Sequence, residues 1–232
     1  MSVDGDYMRA ADDLAERCLA KFSDSEALPD LRAFALDIVV SQLAIGNRAM
    51  LAHVPDICRT LRDFAAGTQT ITGTGAAGFY RQIIAALSVI LDLPPTENHA
   101  GAWLEPVIDH FVELMFSCHD VETARLACEF CAQHADVFTD RVRMLKLLRA
   151  IMVRMIFDCD DVDPFPTKIR CQAAEKALES VFRFYISNSV PYKYIAFRLL
   201  LEKLIESDLW REKEAAIRAL CAFTNARGEC SV

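Results

Sequence analysis

Apolar residues along this chain recur at spacings of three and four, and strict alternation of apolar and polar positions is almost absent. That period is the mark of helices that bury one stripe, and it argues against strands. The pattern is clearest in the second half. Asp120, followed by Val121, Glu122 and Thr123, reads as a helix start with acids where the helix dipole favours them, and the helix is predicted to reach about Asp136. From Phe138 to Phe157, Leu145, Leu148, Met152, Met155 and Ile156 fall on a single stripe. Pro164 and Pro166 lack amide donors and break the pattern over 158–166, after which Thr167 is placed to cap a helix to about Ser187. Ser189 is placed to cap the next helix, with Pro191 in its first turn and an end near Glu206. Ser207 and Asp208 open a last helix to about Arg227, with Gly228 as its stop.

Upstream, the spacing predicts helices over 6–21, 29–45, 47–65, 79–91 and 100–117. A Thr/Gly-rich connector at 67–78 and the Pro94-Pro95 break separate them. The sum is about nine helices, mostly with short joints, and an all-α fold.

Several helices share a core sequence. Phe34-Ala35-Leu36, Leu126-Ala127-Cys128 and Ala215-Ala216-Ile217 align, and Gln172-Ala173-Ala174 fits more loosely. Ala35, Ala127, Ala173 and Ala216 are then separated by 92, 46 and 43 residues, the first being two periods. Two helices per period of about 45 residues is the HEAT/armadillo range. An alanine at each aligned position lets helices approach at the near end of about 8–10 Å. The expected architecture is therefore a HEAT-type α-solenoid of about four to five antiparallel helix pairs, against the alternative of a globular bundle with coincidental spacing. It reads as one array over 1–232: first repeats to 66, the flexible connector at 67–78, middle repeats over 79–157, an acidic loop at 158–166 and last repeats from 167. The final helix lacks a partner, and neither end carries a polar cap, so a segment of a longer array or a truncated product is expected.

Composition narrows the function. The 232 residues are 53% hydrophobic, which provides a core, and eight Gly with eight Pro are few for an all-β fold. A net charge of −8 lacks the basic footprint that direct nucleic-acid binding requires. No apolar run approaches the roughly 20 residues of a membrane span, and the acidic start Asp4-Gly5-Asp6 is not a signal peptide. Nine Cys, an odd number on apolar helix faces, read as reduced core thiols of a cytosolic or nuclear protein.

The stretch from Asp120 to Cys230 resembles the importin-β (karyopherin-β) family of nuclear transport receptors. Three features carry the resemblance: the helix pair containing Val121 to Cys131 and Leu145 to Met152, the acidic loop with Asp158, Asp160, Asp161 and Asp163, and the helix start Ser207-Asp208-Leu209-Trp210-Arg211. Their order is similar to the family's middle repeats. The resemblance implies a receptor segment that binds cargo protein, Ran GTPase or Phe-Gly nucleoporins and works in cytoplasm and nucleus, without enzymatic activity or cofactor. It implies that the helix with Arg141, Arg143, Lys146, Arg149 and Arg154 lines the concave face. The family's inner surface is usually acidic, so this basic helix suits an acidic partner or the nearby Asp158–Asp163 loop. Trp210 is either a buried anchor or an interface hot spot, as is Trp103. The competing reading is a generic HEAT scaffold, for instance a phosphatase regulatory-type subunit.

Motifs with chemistry are weak. Gly73-Thr-Gly-Ala-Ala-Gly78 has dinucleotide-loop spacing but follows a helix instead of a strand, so a connector is expected. Cys128, Cys131 and His134 drift around one helix and lack a second pair of ligands, so they read as core. Asp158 to Asp163 lack the Gly and Glu of a calcium loop. No nucleophile elbow, P-loop or zinc-protease motif accompanies the five His.

Overall fold

A computed structural model describes residues 3–65, 76–93, 107–110, 120–157 and 164–229. Every regular element among them is helical. The chain divides into two compact units, Met1–Phe111 and Val112–Val232.

In the first unit, α1 spans Val3–Ser23, α2 Pro29–Ala44, α3 Arg48–Ala52, α4 Val54–Ala65 and α5 Ala76–Asp92. Pro29 starts α2, where its missing amide costs nothing. Gly46 ends the turn after it at φ +75°, a left-handed conformation that favours glycine. Asn47 then caps α3 by accepting from the amides of Ala49 (2.9 Å) and Met50 (3.3 Å). Its Nδ2 donates to Asp12 on α1 at 2.9 Å. The single helix expected over 47–65 is two helices bent at His53. Pro55 is the cause: it lacks an amide and its ring would strike the carbonyl four residues back. Helix α2 packs on α1 and on α5. Phe22, Phe64 and Phe79 close the core, with Phe64 and Phe79 centroids 5.0 Å apart. Arg32, only 5% exposed, lies among them. Its Nε donates to the Phe22 carbonyl at 2.9 Å, and its guanidinium stands 4.1 Å over the Phe64 ring.

In the second unit, α6 spans Val121–Gln133, α7 Arg141–Phe157, α8 Pro164–Ser187, α9 Lys193–Glu206 and α10 Trp210–Glu229. Asp120 caps α6 as expected, accepting from the Thr123 amide at 2.8 Å and its hydroxyl at 2.6 Å. Helix α6 ends at Gln133 and a 3-10 turn, Ala135–Phe138, follows. Phe138 therefore belongs to this turn, and Asp140 caps α7 through the amides of Val142 and Arg143. Three more boundaries differ from expectation. Pro164 and Pro166 sit in the first turn of α8, where prolines are tolerated, so they begin the helix that Thr167 was expected to cap. Ser189 caps nothing: Ser189 and Tyr192 both take positive φ in a tight reversal, and α9 starts at Lys193. Gly228 does not stop α10, which runs through it to Glu229.

The packing alternates. Helix α8 lies between α6 and α10, while α7 packs on α9, so helices two apart in sequence are neighbours. Contacts of α7 with α8 and of α9 with α10 join the two rows. The aligned alanines lie on the helices that touch: Ala127 on α6 and Ala216 on α10 are buried, and Ala35 is buried on α2. On α8 the buried alanine is Ala174; Ala173, the aligned residue, is half-buried, a shift of one position. Phe182, Phe197 and Phe223 stack α8, α9 and α10 at 4.8–5.1 Å between centroids. Tyr185 is wholly buried and donates to the Phe138 carbonyl at 2.8 Å, which anchors the 3-10 turn to α8.

Of the cysteines, Cys18, Cys58, Cys128 and Cys131 are buried thiols, whereas Cys221 is exposed, which corrects the all-core expectation. Burial pushes the Cys58 thiol from 9.0 up to about 11, and also raises Cys131 and the Tyr185 phenol.

Arg32→Leu removes the Phe22 carbonyl's donor and the cation over Phe64, and is expected to lower unfolding stability by about 2–4 kcal/mol in urea titration. Tyr185→Phe keeps the ring and is expected to cost about 1–2 kcal/mol by the same measurement. Cys58 is neutral in both states below pH 9. Above that the unfolded thiol ionises first, so stability is fully present below pH 9 and is lost as pH rises through about 11. A fall of about 2–3 kcal/mol is expected from this group, and Cys58→Ala should flatten that part of the urea-midpoint profile.

Candidate protein-binding surface

The residues singled out in the sequence separate in space. On α7, Arg141, Lys146 and Arg149 are exposed, but Arg143 is half-buried and Arg154 is buried at 3% exposure. Arg143 reaches back to Asp140 (3.4 Å) and to the Val137 carbonyl (3.5 Å), bracing the start of its own helix. The five bases are therefore not one concave stripe. At 100° per residue, positions 143 and 154 turn towards the core side while 141, 146 and 149 turn outwards. Arg141 also stands 5.9 Å over the Tyr192 ring. Asp158, Asp160, Asp161 and Asp163 lie outside the described residues, as do Trp103 and Gly73-Thr74-Gly75. Gly78 of that glycine motif is inside α5. Cys128 and Cys131 are buried on α6, and His134 packs 5.0 Å from Phe130. Among the described residues, no three His, Cys, Asp or Glu gather as a metal site.

Trp210 is the aromatic sequence candidate that the structure places on a surface. It is the first residue of α10, 54% exposed, with the Arg211 guanidinium 5.7 Å over its ring. The rest of α10 has its apolar residues inverted. Its buried positions are all alanine: Ala215, Ala216, Ala219, Ala222 and Ala226. Its outward positions include Trp210, Ile217 (62% exposed) and Leu220. They lie on the side of α10 opposite its alanines, together with exposed Lys213 and Thr224. Helix α9 adds exposed Tyr194, Ile195, Leu199 and Ile205, and Leu209 joins the two helices. Tyr194 stands 6.0 Å from Phe223, so the start of α9 lies alongside the second half of α10. Of fifteen exposed large apolar residues among those described, nine fall within Tyr192 to Leu220.

A second apolar row lies in the first unit. Leu31, Phe34 and Ile45 of the α2 region are exposed, Phe34 at 63%, and half-buried Ile38 lies on the same side of the helix. Asp30 and Asp37 are exposed beside it, and the only base between Asp24 and Asn47 is the buried Arg32. Large apolar residues at helical spacing are visible in the letters of both rows; the face opposite them is alanine on α10 but Leu36, Val39, Val40 and Leu43 with Ala35 on α2. The aligned cores Phe34-Ala35 and Ala216-Ile217 contain both faces, and only the burial shows which one turns inwards.

Two grooves are lined by polar side chains. One of about 540 Å³ lies between α1 and the α3–α4 bend, with Glu16, His53, Asp56 and Arg59 on its walls. Asp56 already holds Arg59 at 2.8 Å and His53 at 3.4 Å. Another of about 320 Å³ lies between α6 and α8, lined by Arg125, Glu129, Gln172 and Lys176. There Arg125 is clamped by Glu122 and Glu129. No helix among the described residues is long and apolar enough to cross a membrane. No protein-family model, curated protein or solved structure matches the chain.

Proposed function

We propose that the chain is a HEAT-type helical scaffold that works by reversible binding of other proteins, and that a segment of an importin-β-like nuclear transport receptor is its more specific role. The observation that carries the first statement is the exposed apolar rows on α2 and α10, set on helices whose opposite faces are buried. Large apolar groups held in order on a surface are what a protein interface uses, and aromatic residues such as Phe34 and Trp210 are its usual anchors. The solenoid form is supported by the packing of helices two apart in sequence, with buried alanines where they approach.

The transport reading rests on the sequence resemblance from Asp120 to Cys230. Exposed aromatic and aliphatic side chains such as Phe34 and Trp210 would give Phe-Gly nucleoporin segments something to hold. Under this reading the protein acts in cytoplasm and nucleus, binds cargo or Ran, performs no reaction and needs no cofactor. A generic HEAT scaffold uses the same surfaces for another partner.

The chain is expected to be retained on immobilised Phe-Gly repeats and not on Ser-Gly repeats, with Phe34→Ser reducing retention. A folded, helical chain that passes through both columns overturns the transport role and leaves the generic scaffold.

A further inference from the structure

We infer that the outward face of α2 binds a basic amphipathic helix of a partner protein. The partner's apolar side meets Leu31, Phe34 and Ile38, and its basic margin meets Asp30 and Asp37. The first ground is the arrangement around one helix. At about 100° per residue, the three apolar residues share an arc of about 60°, and the two acids adjoin it within about another 60°. Leu36 and Val39, on the opposite side, have no exposure, whereas Leu31 is 43% and Phe34 63% exposed. Apolar and acidic groups therefore lie side by side on the one face that α2 leaves open.

The occupant is selected by charge that the described residues do not neutralise. Asp30 and Asp37 are both exposed, and neither holds an ion pair among those residues. Other acids do: Asp24 holds Lys21, Asp56 holds Arg59, and Glu122 with Glu129 clamps Arg125. The one base of α2, Arg32, is turned inwards, bonded to the Phe22 carbonyl and set over the Phe64 ring. The face thus presents two acids, no base and large apolar groups. It repels an acidic partner, an anionic membrane surface and a second copy of itself, and it admits apolar residues bordered by Lys or Arg. Asp30 and Asp37 are seven residues and about 10 Å apart along the helix. Bases seven apart on a partner helix meet both at once, while its apolar side lies on the row between.

The inference rests on the protein-binding reading and names the chemistry of one partner. Its probe is a fluorescein-labelled model helix of Leu and Lys, with the leucines on one side, titrated with the full chain and read by anisotropy. A Leu/Glu helix of the same pattern and a Ser/Lys peptide of the same charge are the controls. Saturable binding is expected for the Leu/Lys helix alone. Asp30→Lys combined with Asp37→Lys is expected to weaken it about 10-fold or more, and Phe34→Ser to weaken it by a similar factor. Ile217→Ser on α10 is expected to leave it unchanged, with helical circular dichroism preserved in every variant. A Ser/Lys peptide that binds as tightly as the Leu/Lys helix reports attraction to net charge alone and overturns the inference. So does an unbound Leu/Lys helix, an equally bound Leu/Glu helix, or an affinity indifferent to the Asp30 and Asp37 substitutions. A chain that is retained on Phe-Gly repeats but ignores the Leu/Lys helix loses this inference only. One that binds neither loses the transport role with it.

Discussion

The constraint on which both units depend is the unsatisfied carbonyl at the end of each helix. Short helices leave their last four carbonyls without intrahelical donors, and a core built of many such ends cannot reach water at all of them. Here distant side chains supply the donors. Arg32 of α2 reaches the carbonyl of Phe22 in the last turn of α1, and Tyr185 of α8 reaches that of Phe138 at the end of the 3-10 turn. A local counterpart is Lys193, at the start of α9, whose Nζ donates to the Val190 carbonyl of the preceding reversal at 2.9 Å. Each donor is long, and each carries an apolar stem or ring that packs while its polar tip bonds. Arg32 shows the balance of terms: burial pushes its pKa down, yet a carbonyl, an aromatic face and nearby Asp24 compensate the charge.

With the ends tied, the helix faces can be graded by size. Alanines lie where α6, α8 and α10 approach, and aromatic rings fill the wider space where α8, α9 and α10 meet. Ion pairs play little part in this. Most link residues three or four apart on one helix, as Arg183 does with Glu179, and exposed pairs of that kind contribute about 0.3–0.5 kcal/mol. The pair of Arg218 with Glu175, at 3.7 Å, is the one that crosses from α10 to α8 among those described.

Much of the helical layout was legible because it depends on local chemistry. Asp120 before Val-Glu-Thr predicted its cap, and Pro29 predicted the start of α2. The errors share a cause: one residue type has opposite meanings at different helix positions. Proline at 164 and 166 reads in the sequence as a breaker and is a first-turn residue, while Pro55, inside the stretch 47–65 whose spacing predicts one helix, bends it at His53. Gly228 has the flexibility for a stop but occupies open space inside α10, with nothing that requires it to turn. The basic residues of α7 crowd together along the sequence. Around the helix they split, and Arg154 goes inside. Trp210 was legible as a candidate, but its exposure depends on which face of α10 meets α8, and that is a tertiary choice.

That choice has an energetic consequence for the last helix. Burying an alanine methyl is worth about 0.8 kcal/mol, so the five buried alanines of α10 together gain only about 4 kcal/mol, before the cost of ordering twenty residues. Phe223, between Phe182 and Phe197, adds aromatic contacts on two sides. Helix α10 is thus held by one aromatic knot and a thin apolar face, with its larger apolar surface uncovered. Any protein that covers Trp210, Ile217 and Leu220 adds burial that the chain alone lacks, and by mass action it raises the stability of the helix it touches. The outward face that leaves α10 with few large buried side chains of its own is also where a covering protein would add most to its stability.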